Sequence, residues 1–247
     1  MTYCVGLKLN EGIVLLSDTR TNAGVDNVSR YRKMFTWEVP GDRAIALMTS
    51  GNLSITQGVI ARLERTIEQA EINGDKDAET ILNAESMFRV AQLVGAEMRL
   101  MQDTHRASLE QSGAAADASI IVAGQRKGGD PRLYLLYAAG NFIEATEDTC
   151  YLQIGEHKYG KPILDRVVTP ETPIAEALKA AFVSMDSTIR SNLSVGMPLD
   201  LAVIRSGGLA FDVLRRIEPD DEGFLDISRK WSEALREAFH ALPEVSR

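Results

Sequence analysis

The order in which the chain switches between two hydrophobic periods constrains its fold most. Residues 3–18 read as two strands joined by a turn at Asn10-Glu11-Gly12, and strand patterns return at about 31–37 and 43–49, split by Pro40-Gly41-Asp42. The polar stretch 19–30 between them is expected to be an exposed loop. From Asn52 the period lengthens. Val59, Ile60, Leu63, Ile67 and Ala70 fall on one helical face, with Asn52 or Ser54 as the cap and Asn73-Gly74-Asp75 as the stop. A second helix is predicted from about 77 to 110, burying Met87, Val90, Ala91, Val94, Met98 and Met101 as adaptable core packing. Short strands follow at 118–124, 133–138, 142–146 and 149–154. Helices at 159–166 and 172–192 come next, then closing strands at 199–205 and 209–216. Strands, helices, strands, helices, strands: this order predicts an α+β fold, two antiparallel sheets face to face between two helical layers.

At 247 residues such a structure stays within one domain. After Pro219-Asp220-Asp221-Glu222-Gly223 one more amphipathic helix is expected. Ile227, Trp231, Ala234, Leu235, Ala238 and Leu242 share its apolar side, which packs on its own subunit or on a neighbouring one. A formal net charge of −8 argues against nucleic acid or an anionic membrane as partner. Apolar runs fall short of a bilayer span, and the start of the chain lacks the pattern of a secretory signal. Two cysteines, Cys4 and Cys150, suit a reducing compartment without a disulfide framework, so a cytoplasmic location is expected. With three scattered histidines they form no metal-ligand cluster, and neither metal nor cofactor is expected.

The chemistry points to the amino terminus. Thr2 is small enough for an aminopeptidase to remove Met1 and leave a free threonine amine, which puts a hydroxyl nucleophile and a candidate base in one residue. Asp18 ends an apolar strand and Lys33 stands in another, so both can face Thr2. Taken singly, each has an ordinary explanation: a turn aspartate, an edge lysine. Strand alternation places Lys33 on a face with Tyr31, Phe35 and Trp37, where either desolvation or the Asp18 carboxylate would tune it.

Thr2, Val5-Gly6, Ser17-Asp18-Thr19-Arg20 and Lys33-Met34-Phe35 together resemble the amino terminus of proteasome β-type subunits and of the bacterial HslV peptidase. With Ser50-Gly51-Asn52-Leu53-Ser54, the sequence is most similar to the bacterial Anbu, or ancestral β subunit, family. The resemblance implies the four-layer αββα sandwich of Ntn hydrolases over residues 1–218, with 219–247 as a C-terminal helical extension. It also implies a catalytic set of Thr2, Asp18 and Lys33, with a backbone amide in the 48–51 segment, here assigned to Gly51, as oxyanion donor. Two family motifs are altered. Glu156 or His157 stands where a serine belongs, Asn192 replaces a carboxylate, and Ser194 lies one place from the expected serine. An amide donates and accepts hydrogen bonds but carries no charge, so Glu156 or His157 becomes the candidate to supply it.

Three functions are consistent with this. One is a threonine hydrolase cleaving peptide or other amide bonds through an acyl ester at Thr2. The second is an assembly or scaffold protein with little turnover, and the third a small-amide Ntn amidase. The partners implied are copies of the chain in a closed ring or an open helical assembly, a peptide or unfolded-protein substrate, and an unidentified regulatory partner such as an ATPase.

Overall fold

A computed structural model describes residues 2–22, 28–75, 77–113 and 115–244. Strands β1 (Tyr3–Leu9) and β2 (Gly12–Asp18) form the hairpin expected from the Asn-Glu-Gly turn. Strands β3 (Arg20–Asn22) and β4 (Val28–Arg30) pair as a short ribbon. The stretch expected as an exposed loop is therefore partly paired, and its residues 23–27 lie outside the described ones. Next come β5 (Met34–Val39), β6 (Arg43–Gly51) and helices α1 (Leu53–Asn73) and α2 (Met87–Gln111). After β7 (Ala118–Arg126), β8 (Arg132–Leu136), β9 (Phe142–Glu144) and β10 (Tyr151–Gly155), the chain adds α3 (Lys161–Val167) and α4 (Ile174–Ser191). Strands β11 (Leu199–Arg205) and β12 (Phe211–Ile217) and the terminal helix α5 (Glu222–His240) complete it.

Two five-stranded antiparallel sheets result, ordered β10-β1-β2-β11-β12 and β5-β6-β7-β8-β9. Alternation along β1 sorts its side chains. Tyr3, Val5 and Leu7 pack towards Leu164, Ala181 and Met185 of α3 and α4, whereas Cys4 joins Ile13, Met48 and Ile121 between the sheets. Gly6 lies on that inner side, where a Cβ would come within 2.8 Å of Leu133. The outer face of the second sheet, with Ile45, Leu47, Ile120 and Val122, is covered by Val59, Leu63, Val90 and Met98 of α1 and α2. Helix, sheet, sheet, helix: this is the four-layer Ntn-hydrolase sandwich.

Helix α1 is capped by Asn52, whose Oδ1 accepts from Ser54 N at 3.0 Å, and it ends on left-handed Gly74. Helix α2 starts at Met87 with Ser86 as cap, ten residues later than the period predicts. In the preceding segment, polar side chains meet backbone groups locally: Asp75 Oδ1 accepts from Asp77 and Ala78, and Asn83 Oδ1 from Thr80. Arg43 Nη1 also donates to the carbonyls of Ile81 and Ala84, holding them as turns.

Helix α5 is covered by the body of its own subunit only over its first turns. Phe224 and Ser228 are its buried residues, with the Phe224 ring edge-on to Phe182 at 5.6 Å. Trp231 is half-buried, while Leu235, Phe239 and Leu242 are 49%, 71% and 65% exposed. The apolar stripe thus runs past the end of the body that covers its first turns.

Candidate active site

The site lies where β1 begins, β2 ends and β10 ends. Thr2 is buried, and its carbonyl accepts from Glu156 N at 2.6 Å. Gly155, with φ of +81°, takes the chain past it; a Cβ there would overlap the Thr2 carbonyl oxygen. On the other side of β1, Asp18 has no exposed surface and is fully engaged. Its Oδ1 accepts from Tyr3 N at 3.0 Å and Lys33 Nζ at 2.7 Å; its Oδ2 accepts from Arg20 N at 3.1 Å and Gly196 N at 3.3 Å. Burial pushes the Asp18 carboxyl above its ordinary value, against the downward pull of the Lys33 ammonium and the Tyr3 and Gly196 amides.

Lys33 is 4% exposed, and its ammonium also donates to the Arg20 carbonyl at 2.5 Å. Its expected aromatic surroundings are not what holds it. Lys33 precedes β5 rather than lying in it, and it reaches across to Asp18 on the first sheet. Phe35 and Trp37 pack instead under α1 and α2, and Tyr31 is 40% exposed. The carboxylate, not an aromatic wall, fixes this lysine.

Thr2 and Lys33 open onto one cavity of about 330 Å³, also lined by Thr21, Thr49, Ser50, Gly51 and Gly155. Gly51, the sequence candidate for an oxyanion donor, therefore faces the same space as Thr2. It ends β6 with φ of +104°, and a Cβ would run into the Asp117 carbonyl at 2.3 Å.

The altered motifs separate in space. Glu156 Oε2 accepts from Asn192 Nδ2 at 3.1 Å, and Asn192 Oδ1 accepts from Ser194 N at 2.9 Å. Asn192 caps the C-terminus of α4, so it ties the loop that supplies the Gly196 amide to the segment beside Thr2. His157 is exposed and turns away, lining a separate cleft of about 560 Å³ that Thr2 does not share. Of the two residues offered for the missing charge, Glu156 is the one joined to Asn192. Met1, whose removal the sequence reading requires, lies outside the described residues.

The proteasome subunit family model matches residues 2–204. This chain belongs to the proteasome subunit family, in its Anbu branch. Anbu from Yersinia bercovieri is 39% identical, with 99% of each chain covered and a TM-score of 0.91. Anbu from Hyphomicrobium sp. strain MC1 is 43% identical over 99% of this chain and 100% of that one, at a TM-score of 0.89. A helical assembly of the Anbu complex from Pseudomonas aeruginosa is 44% identical over 99% and 98%, at 0.90. No curated protein matches the chain.

Several groups of this proteasome-like site were not singled out from the sequence. The carbonyl of Arg20 on Lys33 and the amides of Tyr3 and Gly196 on Asp18 are backbone groups, which side-chain chemistry does not announce. Thr21 and Thr49 line the cavity through residue types too common to stand out. Gly155 and Gly196 carried the clearest available signal. A Cβ at Gly196 would overlap the Arg20 guanidinium, as one at Gly155 would the Thr2 carbonyl. Among the described residues no group of His, Cys, Asp or Glu gathers as a metal-ligand set, and no helix is long and apolar enough to cross a membrane.

Proposed function

We propose that this proteasome-like subunit is an N-terminal threonine hydrolase that cleaves peptide or other amide bonds through an acyl ester on Thr2, once Met1 has been removed. One observation carries the reading: Thr2 and Lys33 share a cavity, and the Lys33 ammonium is anchored on the buried Asp18 carboxylate. In this reading the Thr2 hydroxyl oxygen attacks the scissile carbonyl carbon. Its proton passes to the Thr2 amine or to a bound water. The Lys33 charge favours the oxygen as it loses that proton. Gly51 offers the backbone donor for the developing oxyanion. Collapse of the intermediate breaks the C–N bond and the leaving amine takes the proton. Water then cleaves the ester, releasing a carboxylic acid and restoring Thr2.

The same reading makes copies of the chain its partners. The Pseudomonas aeruginosa relative forms a helical assembly, and here Leu235, Phe239 and Leu242 expose an apolar end of α5 suited to a neighbouring subunit. Cys4 and Cys150 are both free and buried, in keeping with the reducing, cytoplasmic setting that this reading assigns.

The test is a mechanism-based electrophile, read by intact mass. An ester-linked adduct on the processed wild type and none on Thr2→Ala is the expected result. No adduct and no turnover across a broad peptide library would replace the hydrolase with a scaffold, whereas turnover confined to small amides would make it an amidase.

A further inference from the structure

The carboxylate that Asn192 replaces has a counterpart on the opposite strand. β1 and β10 pair with Tyr3 opposite Gly155 and Cys4 opposite Ile154. One further step in that register sets Thr2 opposite Glu156, and the 2.6 Å bond from Glu156 N to the Thr2 carbonyl closes the pair. The Thr2 amine and the Glu156 side chain are thus carried by two residues joined directly through a backbone hydrogen bond. That side chain is also held: Oε2 accepts from Asn192 Nδ2, and Asn192 Oδ1 is itself fixed by Ser194 N.

The other charged groups around Thr2 are committed elsewhere. Asp18, from β2, and Lys33, ahead of β5, are paired with each other. Arg20, from β3, lies against Gly196 and donates to the Leu193 carbonyl at 3.0 Å. His157 lines the separate cleft, and the Tyr3 phenol points the other way, to Ser184 Oγ at 2.6 Å and Gln153 Nε2 at 2.6 Å.

We propose that Glu156 holds the α-ammonium of processed Thr2 and sets the pH at which that amine becomes a neutral base, with Asn192 as the residue that positions Glu156. The proposal rests on the reading of Thr2 as a free amino terminus. An opposite charge nearby favours the protonated amine, so the group keeps its proton to higher pH than an ordinary chain end, which titrates near about 8. Deprotonation then leaves an acceptor for the Thr2 hydroxyl proton in the acyl transfer described above.

The experiment measures the amine directly. Processed full-length protein is labelled with limiting acetic anhydride across a pH series, and acetylation of the N-terminal peptide is followed by mass spectrometry. The wild-type midpoint is expected about one pH unit above that of Glu156→Gln and of Glu156→Ala, with Glu156→Asp nearer to wild type. Reading both neutral variants keeps the comparison usable should one fail to fold. Equal midpoints in wild type and a folded neutral variant overturn the proposal; so does a variant that loses thermal stability while the midpoint stays put, because that marks a merely structural glutamate. The outcome is separable from the hydrolase reading. A shifted midpoint without any electrophile adduct keeps this role for Glu156 and removes the hydrolase, and an adduct without a shift does the reverse.

Discussion

The two ends of the chain are treated in opposite ways. At the start, Thr2 is 8% exposed, and the two residues that flank its chemistry, Asp18 and Lys33, satisfy each other inside one copy. At the end, Phe239 is 71% exposed, and the helix carrying it has left the body that buries Phe224. Both segments are apolar in pattern, yet one is threaded through a sheet with neighbours on both sides and the other is docked along half its length. The contrast marks which part of the molecule is satisfied within one copy and which part is not. The buried Asp18–Lys33 pair is satisfied within one subunit, whereas the end of α5 leaves apolar surface uncovered.

The largest effect should come from breaking the buried pair. Asp18→Asn leaves a buried ammonium without its carboxylate and takes away half of a matched charge. Loss of about 3–5 kcal/mol in stability is expected, read from denaturant midpoints, together with loss of the Thr2 adduct. A small change would mean that Lys33 relaxes to solvent and that the amino-terminal site is less finished than its geometry suggests. Gly155→Ala comes next. Its positive φ and the nearby Thr2 carbonyl should together cost at least about 1 kcal/mol and displace Thr2, so electrophile labelling should drop further than the stability change explains. Smallest for the fold of one subunit is Leu235→Glu with Phe239→Glu. Stability should move by no more than about 0.5 kcal/mol, because neither side chain packs on its own body. The sedimentation coefficient of the native protein should nevertheless fall as subunits separate. Should the double variant unfold the subunit instead, the contrast between the two ends would collapse.

How far the site could be read without a structure depends on the kind of group. Thr2, Asp18 and Lys33 stood out because their side chains suit the chemistry proposed for the site, and because Thr2 precedes an apolar run that Asp18 closes. Gly51 was reachable as a glycine between a strand and a capped helix. Glu156 and His157 were equivalent by sequence, adjacent in the same loop; only the turn at Gly155 sends one to Asn192 and the other to a different cleft. Lys33 shows the opposite error. Period two placed it with Phe35 and Trp37, but it stands just outside the strand, where alternation no longer applies.

Periodicity and side-chain chemistry are local properties, so the sequence alone yields the order of the elements, the faces most of them bury and the side chains proposed for the site. It also placed most boundaries, failing at α2, where side chains of Asp75 and Asn83 bind the backbone that a helix would have used. Tertiary structure alone decided that β10 joins the first sheet beside β1, bringing Gly155 and Glu156 against Thr2 from a distance that no local pattern spans. It alone decided, too, that α5 outruns its support. Strand order is set by long-range pairing of backbone groups common to every residue, and the reach of the packed body by side chains distant in the chain, such as Phe182 against Phe224.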